Sequence, residues 1–202
     1  MTNKNYQHIF YIIVLALSLV AFIVSCDTGV QSSPKPGILR IVLQSNPTDT
    51  SIIIINDTLT VSDGDNFRTT VFQGKAYSDS VFAILYPSIN SYRQEDKVIN
   101  VIERENNTYK PHIIFESYVP PGNYTSIVFG LTADLLHIGI FDIPVELPPN
   151  ESKLVALPVN FEVAENKTTE IKVQLNPFKS VQRFRDSYYF NRQLEVVEVK
   201  YF

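Results

Sequence analysis

The stretch VALPVNFEVAENKTTEIKVQLN, residues 155 to 176, decides the fold. Val155, Leu157, Val159, Phe161 and Val163 recur at every second position, and so do Ile171, Val173 and Leu175, with Glu170, Lys172 and Gln174 between them. A period of two sends alternate side chains to opposite faces of a β-strand, so each run buries one face and wets the other. AENK, residues 164 to 167, supplies an Asn-containing tight turn, and the expectation for residues 153–176 is a hairpin.

The same alternation extends outward. FDIPVEL, residues 141 to 147, places Phe141, Ile143, Val145 and Leu147 on one face. Pro144 on its polar face marks an edge or a bulge, because proline cannot donate to a ladder. Further strands are expected over Ile38–Gln44, Ser51–Asn56, Leu59–Val61, Phe67–Phe72, Val81–Leu85, Val98–Glu103, His112–Val119, Tyr124–Thr132 and Leu194–Tyr201. The clusters SNPTD, SDGDN, ENN, PPGN and LPPNE punctuate them, and no segment has a convincing helical period. This spacing predicts an all-β fold, an antiparallel β-sandwich formed as one domain over residues 38–202. In PPGN, residues 120 to 123, a Pro-Gly pair at the centre of a type II turn requires positive φ at Gly122. The strand that follows then turns Ile127, Phe129 and Leu131 inward.

The N-terminal segment fixes an expected location. Ile9 to Val24 is an unbroken run of apolar or small residues, shorter than the roughly 20 that span a bilayer. It ends in IVSC, Ile23 to Cys26, which has the shape of a bacterial lipobox. Small residues suit a peptidase that holds the chain extended, and the thiol is the nucleophile that accepts diacylglycerol. Residues 1–25 are therefore expected to be a lipoprotein signal peptide and Cys26 the lipidated residue, since two or three acyl chains make a durable anchor. Residues 26–37 read as a flexible tether. The eleven residues from Asp27 to Gly37 reach about 36 Å at most, which holds the domain close to the membrane. The expected compartment is the bacterial envelope, with the outer membrane favoured over the inner.

The full chain carries a net charge of −4. Loss of Lys4 with the signal peptide takes Lys plus Arg from 17 to 16 against 21 Asp plus Glu, a net charge of −5. Nothing in that balance favours nucleic acid or an anionic surface. Cys26 is the only cysteine, so the domain is expected to hold together by packing.

Reactive groups are few. His112 and His137 lie inside apolar strand patterns with no second His or Cys at ligand spacing, and are expected to be structural hydrogen-bonders. No metal or cofactor is expected. GxSxG, HExxH and glycine-rich phosphate loops are absent, and no enzymatic activity is expected. In SDGDN, Asp63, Asp65 and Asn66 have the opening spacing of a calcium loop. Phe67 occupies the next ligand position, however, and the expected reading is an Asp-Gly hairpin turn. The chain holds 11 Tyr, 13 Phe and no Trp. In RFRDSYYFNR, residues 183 to 192, the residues Tyr188, Tyr189, Arg183 and Arg185 form a candidate platform for stacking on a sugar face; the alternative is that these are simply strand residues. Five Asn-x-Ser/Thr sequons, at Asn56, Asn106, Asn123, Asn150 and Asn166, read as by-products of composition in a lipoprotein.

SYVPPGNYTSIVFGL, residues 117 to 131, and LPVNFEVAENKTTEIKVQLNPFKSV, residues 157 to 181, resemble a family of bacterial lipoprotein domains without assigned function. Pro121, Gly122 and Tyr124 match its Pro-Gly-x-Tyr turn, and Ser180 and Val181 match the step after its later hairpin. The resemblance covers residues 110–200 well and 37–109 loosely. It implies a prealbumin-like or immunoglobulin-like, carbohydrate-binding-like sandwich. The expected function is that of a lipid-anchored, non-enzymatic envelope protein, its partners the membrane and a glycan or another envelope protein. The alternatives are an assembly lipoprotein acting by strand addition and, behind it, an unrecognised hydrolase.

Overall fold

The computed structural model describes residues 33–79 and 81–202. The signal peptide, Cys26 and the first part of the tether lie outside the described residues. Among those described there are sixteen strands and no helix. In chain order they are β1 (Gly37–Ser45), β2 (Ser51–Ile54), β3 (Asp57–Thr60), β4 (Asn66–Ser78), β5 (Val81–Ile84), β6 (Lys97–Asn100), β7 (Arg104–Glu105) and β8 (Thr108–Tyr109). There follow β9 (His112–Val119), β10 (Gly122–Ile138), β11 (Phe141–Glu146), β12 (Leu154–Val163), β13 (Thr168–Leu175), β14 (Val181–Phe184), β15 (Ser187–Phe190) and β16 (Leu194–Tyr201).

Two sheets carry the fold. The smaller has the order β16-β13-β1-β9. The larger runs β14-β15-β11-β10-β4-β5, with β12 also on β10 and β6 also on β4. β10 is the spine of the larger sheet. β4 runs along one of its sides, while β12 and then β11 share the other. Leu39, Ile41 and Leu43 of β1 and Ile171, Val173 and Leu175 of β13 are buried in one cluster with Phe67 and Val71 of β4 and Ile127, Phe129 and Leu131 of β10. Phe115 of the smaller sheet meets Phe129 of the larger edge-on, ring centres 6.1 Å apart. Two sheets thus share one core in the manner of a β-sandwich. Each fully buried large side chain in it contributes about 1.5–3 kcal/mol.

The strands of residues 155 to 176 alternate as expected, but they do not pair. β12 lies on β10 in the larger sheet, whereas β13 lies between β1 and β16 in the smaller. The AENK turn is an arch between sheets, with Asn166 at φ 54°. The Thr169 hydroxyl donates to the Glu162 carbonyl at 2.7 Å across it. Period-two alternation shows which face a strand buries, and says nothing of its neighbour. The antiparallel expectation is also corrected in part, because β1–β13 and β11–β15 pair in parallel.

Turn chemistry differs from expectation in two places. SDGDN turns through the Asp65 amide donating to Ser62 O at 3.2 Å, but β3 pairs with β2, so the turn links separate hairpins rather than closing one. Gly122 has φ 151°, an extended mirror-image conformation rather than the +80° of a type II turn. The Tyr124 hydroxyl then donates back to Pro120 O at 2.7 Å, and its ring stacks on Phe161 at 5.2 Å. This corner sets the register in which Ile127, Phe129 and Leu131 are buried. Three sequon asparagines, Asn106, Asn150 and Asn166, occupy positive-φ turn positions, which Asn tolerates well.

Candidate functional site

β14 and β15 form a ribbon around Arg185 and Asp186, with Val181 opposite Phe190 and Phe184 opposite Ser187. Arg185 takes φ 57°, although neither turn residue is Gly or Asn, so the sequence carries no turn signal here. The base of the ribbon is anchored. Val181 and Phe190 are buried, and Phe190 packs edge-on against Phe67 at 5.4 Å. β15 joins the large sheet through Tyr188 and Tyr189, which pair in parallel with Val145 and Glu146 of β11.

Tyr188 and Tyr189 are consecutive on a strand and therefore face opposite ways. The expected four-residue platform is divided by that geometry. Tyr189 and Arg183 line one cleft of about 360 Å³, together with Gln182, Phe184, Asn191 and the Pro148–Pro149 step. Phe184 is 59% exposed, its ring 6.5 Å from that of Tyr189. Arg185 adjoins this cleft through its guanidinium, 5.3 Å from the Phe184 ring, and the Arg183 Nε donates to its carbonyl at 3.0 Å. The proline wall is held from behind. Buried Arg192 pairs with Glu151 and donates to Ser152 O at 2.7 Å. Tyr188 lines a different cleft, of about 390 Å³, between the Ile54–Ile55 corner, β11 and the Asp186–Ser187 step.

Tyr86, Tyr92, Tyr109, Tyr118, His112 and His137 lie outside both clefts. Tyr109 is buried and its hydroxyl donates to Asp49 O at 2.8 Å; burial, with the Asp49 charge, pushes its pKa up to about 12. Tyr118 and Tyr92 are exposed, the latter at 93%, and line neither cleft. His112 Nε2 lies 3.0 Å from Asn100 O, and burial lowers its pKa. His137 Nδ1 lies 2.7 Å from the carboxylate of Asp142, its partner across β10–β11. The two Asp65 oxygens face protein donors, one the Ser62 amide at 2.7 Å and the other the Gly139 amide at 2.9 Å, which favours a turn clamp over a calcium ligand. Among the described residues no three His, Cys, Asp or Glu side chains are grouped to hold a metal. Asp142, Glu146 and Asp186 all line the Tyr188 cleft.

Sequence reasoning missed Gln182, Phe184, Asn191 and the Pro148–Pro149 wall. The available signal was the alternation of Gln182, Phe184 and Tyr189 about a two-residue turn, obscured because that turn lacks glycine. Comparison with known protein families, curated proteins and solved structures finds no match to this chain.

Proposed function

We propose that this chain is a lipid-anchored, non-enzymatic cell-envelope protein, its sandwich-like domain of prealbumin or immunoglobulin type, which binds carbohydrate in the Tyr189 cleft. One observation carries the binding reading. Tyr189 and Phe184 line one open cleft together with Gln182 and Asn191, and the Arg185 guanidinium lies 5.3 Å from the Phe184 ring. Aromatic faces stack on the C–H face of a sugar, while amides and guanidinium donate to its hydroxyls and ring oxygen. The pinned ribbon base and the Arg192 clamp limit the ordering cost of binding. Anchoring rests on the lipobox at Ile23 to Cys26, with the outer membrane as the favoured location.

Two measurements on the full chain test this function. On a glycan array the protein is expected to retain a restricted set of glycans, and a blank array contradicts the binding reading. Cys26→Ala is expected to lose incorporation of labelled palmitate; continued labelling contradicts the anchor. Strand addition remains the second reading, because β11 has an open edge.

A further inference from the structure

We propose that the Tyr188 cleft is a second binding site, which takes an extended peptide segment of a partner protein bearing alternating aliphatic and basic side chains, added as a strand to β11. The first observation is an unpaired edge. β11 pairs with β10 over Phe141–Pro144 on one side, but with β15 only at Val145 and Glu146 on the other. Its second edge at residues 141–144 therefore has no strand partner among the described residues. An edge of this kind binds extended peptides through main-chain hydrogen bonds, with pockets for alternate side chains.

Room and chemistry fit that occupant. The cleft of about 390 Å³ lies against this edge, and a strand needs a lane only about 4.8 Å wide. Ile55, Phe141 and Tyr188 offer apolar surface, while Glu146 and Asp186 supply carboxylates and Asp142 is held by His137 Nδ1 at 2.7 Å. No Lys, Arg or His lines the cleft among the described residues. The complementary segment therefore alternates aliphatic side chains with cations.

Ile55 adds an independent sign. It occupies φ 60° at the β2–β3 turn and is 63% exposed. A β-branched residue avoids that conformation, and Gly or Asn would adopt it freely. Folding alone gives no reason for isoleucine there, whereas an aliphatic wall for the cleft does. Strained residues of this kind cluster at ligand-binding sites.

The test is fluorescence anisotropy on the full chain in an uncharged detergent, with a labelled eight-residue peptide alternating Val and Lys. Saturable binding is expected. The Val–Glu counterpart, and the Val–Lys peptide N-methylated at alternate backbone nitrogens, are each expected to bind about tenfold more weakly or worse, a loss of about 1.4 kcal/mol. E146Q/D186N should weaken the Val–Lys peptide severalfold. Ile55→Gly should weaken it too while raising the denaturant midpoint, which separates loss of the wall from loss of the fold. The proposal is overturned if the Val–Lys peptide does not bind, or if either control peptide binds equally. It is also overturned if the neutralised or Ile55→Gly protein binds like the wild type. Equal binding of the N-methylated peptide would mean recognition of charge without strand addition.

Discussion

Gly122 stands at φ 151° with open space where a Cβ would sit, so a side chain there meets no neighbour and its whole cost is backbone strain. Gly122→Val is expected to destabilise the domain by about 1–3 kcal/mol, read as a lower denaturant midpoint. An unchanged midpoint would show that the strand does not begin in that conformation. The sequence pointed to glycine here for nearly the right reason, a positive φ, and missed only which positive-φ region is used. Arg185 and Ile55 were illegible, because each takes positive φ without the residue type that announces it. His112 carries the pH dependence at this scale. Burial holds its folded pKa below the ordinary value near 6.5, so as pH falls through that value the unfolded chain takes up the proton first. Stability present above pH about 6.5 is therefore lost progressively toward the folded pKa. His112→Gln should flatten the midpoint-against-pH curve below pH about 6.5 relative to wild type, and parallel curves would contradict the assignment.

Between elements, the closest fit is in the β10–β4 ladder. Gly130 lies opposite Phe72, whose ring occupies the space of a Cβ, as near as 2.3 Å to where one would sit. The aromatic ring covers the glycine and fills the gap its missing side chain leaves in the sheet. Gly130→Ala is expected to cost about 1–3 kcal/mol by overpacking. In a Phe72→Ala background that cost should largely vanish, and equal costs in both backgrounds would contradict the packing. Strand existence was legible from alternation, as at His112–Val119 and Leu194–Tyr201, which fold over those bounds. Strand length was less so. β4 and β10 run 13 and 17 residues, beyond the expected Phe67–Phe72 and Tyr124–Thr132. Register shifts at Thr125, Phe129 and Asp134 break the period and hide the continuity. One bulge is secured by an exposed Arg68–Asp134 pair, and the guanidinium holds the Asp134 carboxyl below its usual range.

Across the whole molecule, the all-β class was legible and the partnership of strands was not. VALPVNFEV and TEIKVQL each bury one face, and a hairpin and an arch between facing sheets produce the same pattern in the sequence. Only the positions of β1 and β16 on either side of β13 decide between them. The same limit divided the aromatic platform, since Tyr188 and Tyr189 are neighbours in sequence and lie on opposite faces of the ribbon. Composition likewise does not encode the two clefts on either side of the ribbon, one aromatic and amide-rich, the other apolar and acidic. The most direct test of the carbohydrate reading is titration of the full chain with an array-selected glycan, comparing wild type, Tyr189→Ala and Tyr92→Ala. Loss of one stacking ring, worth about 1.4 kcal/mol or more, is predicted to weaken Tyr189→Ala about tenfold. Tyr92→Ala, although it removes the more exposed ring, is predicted to bind like wild type. Unchanged affinity in Tyr189→Ala, or equal losses in the two variants, would contradict the account.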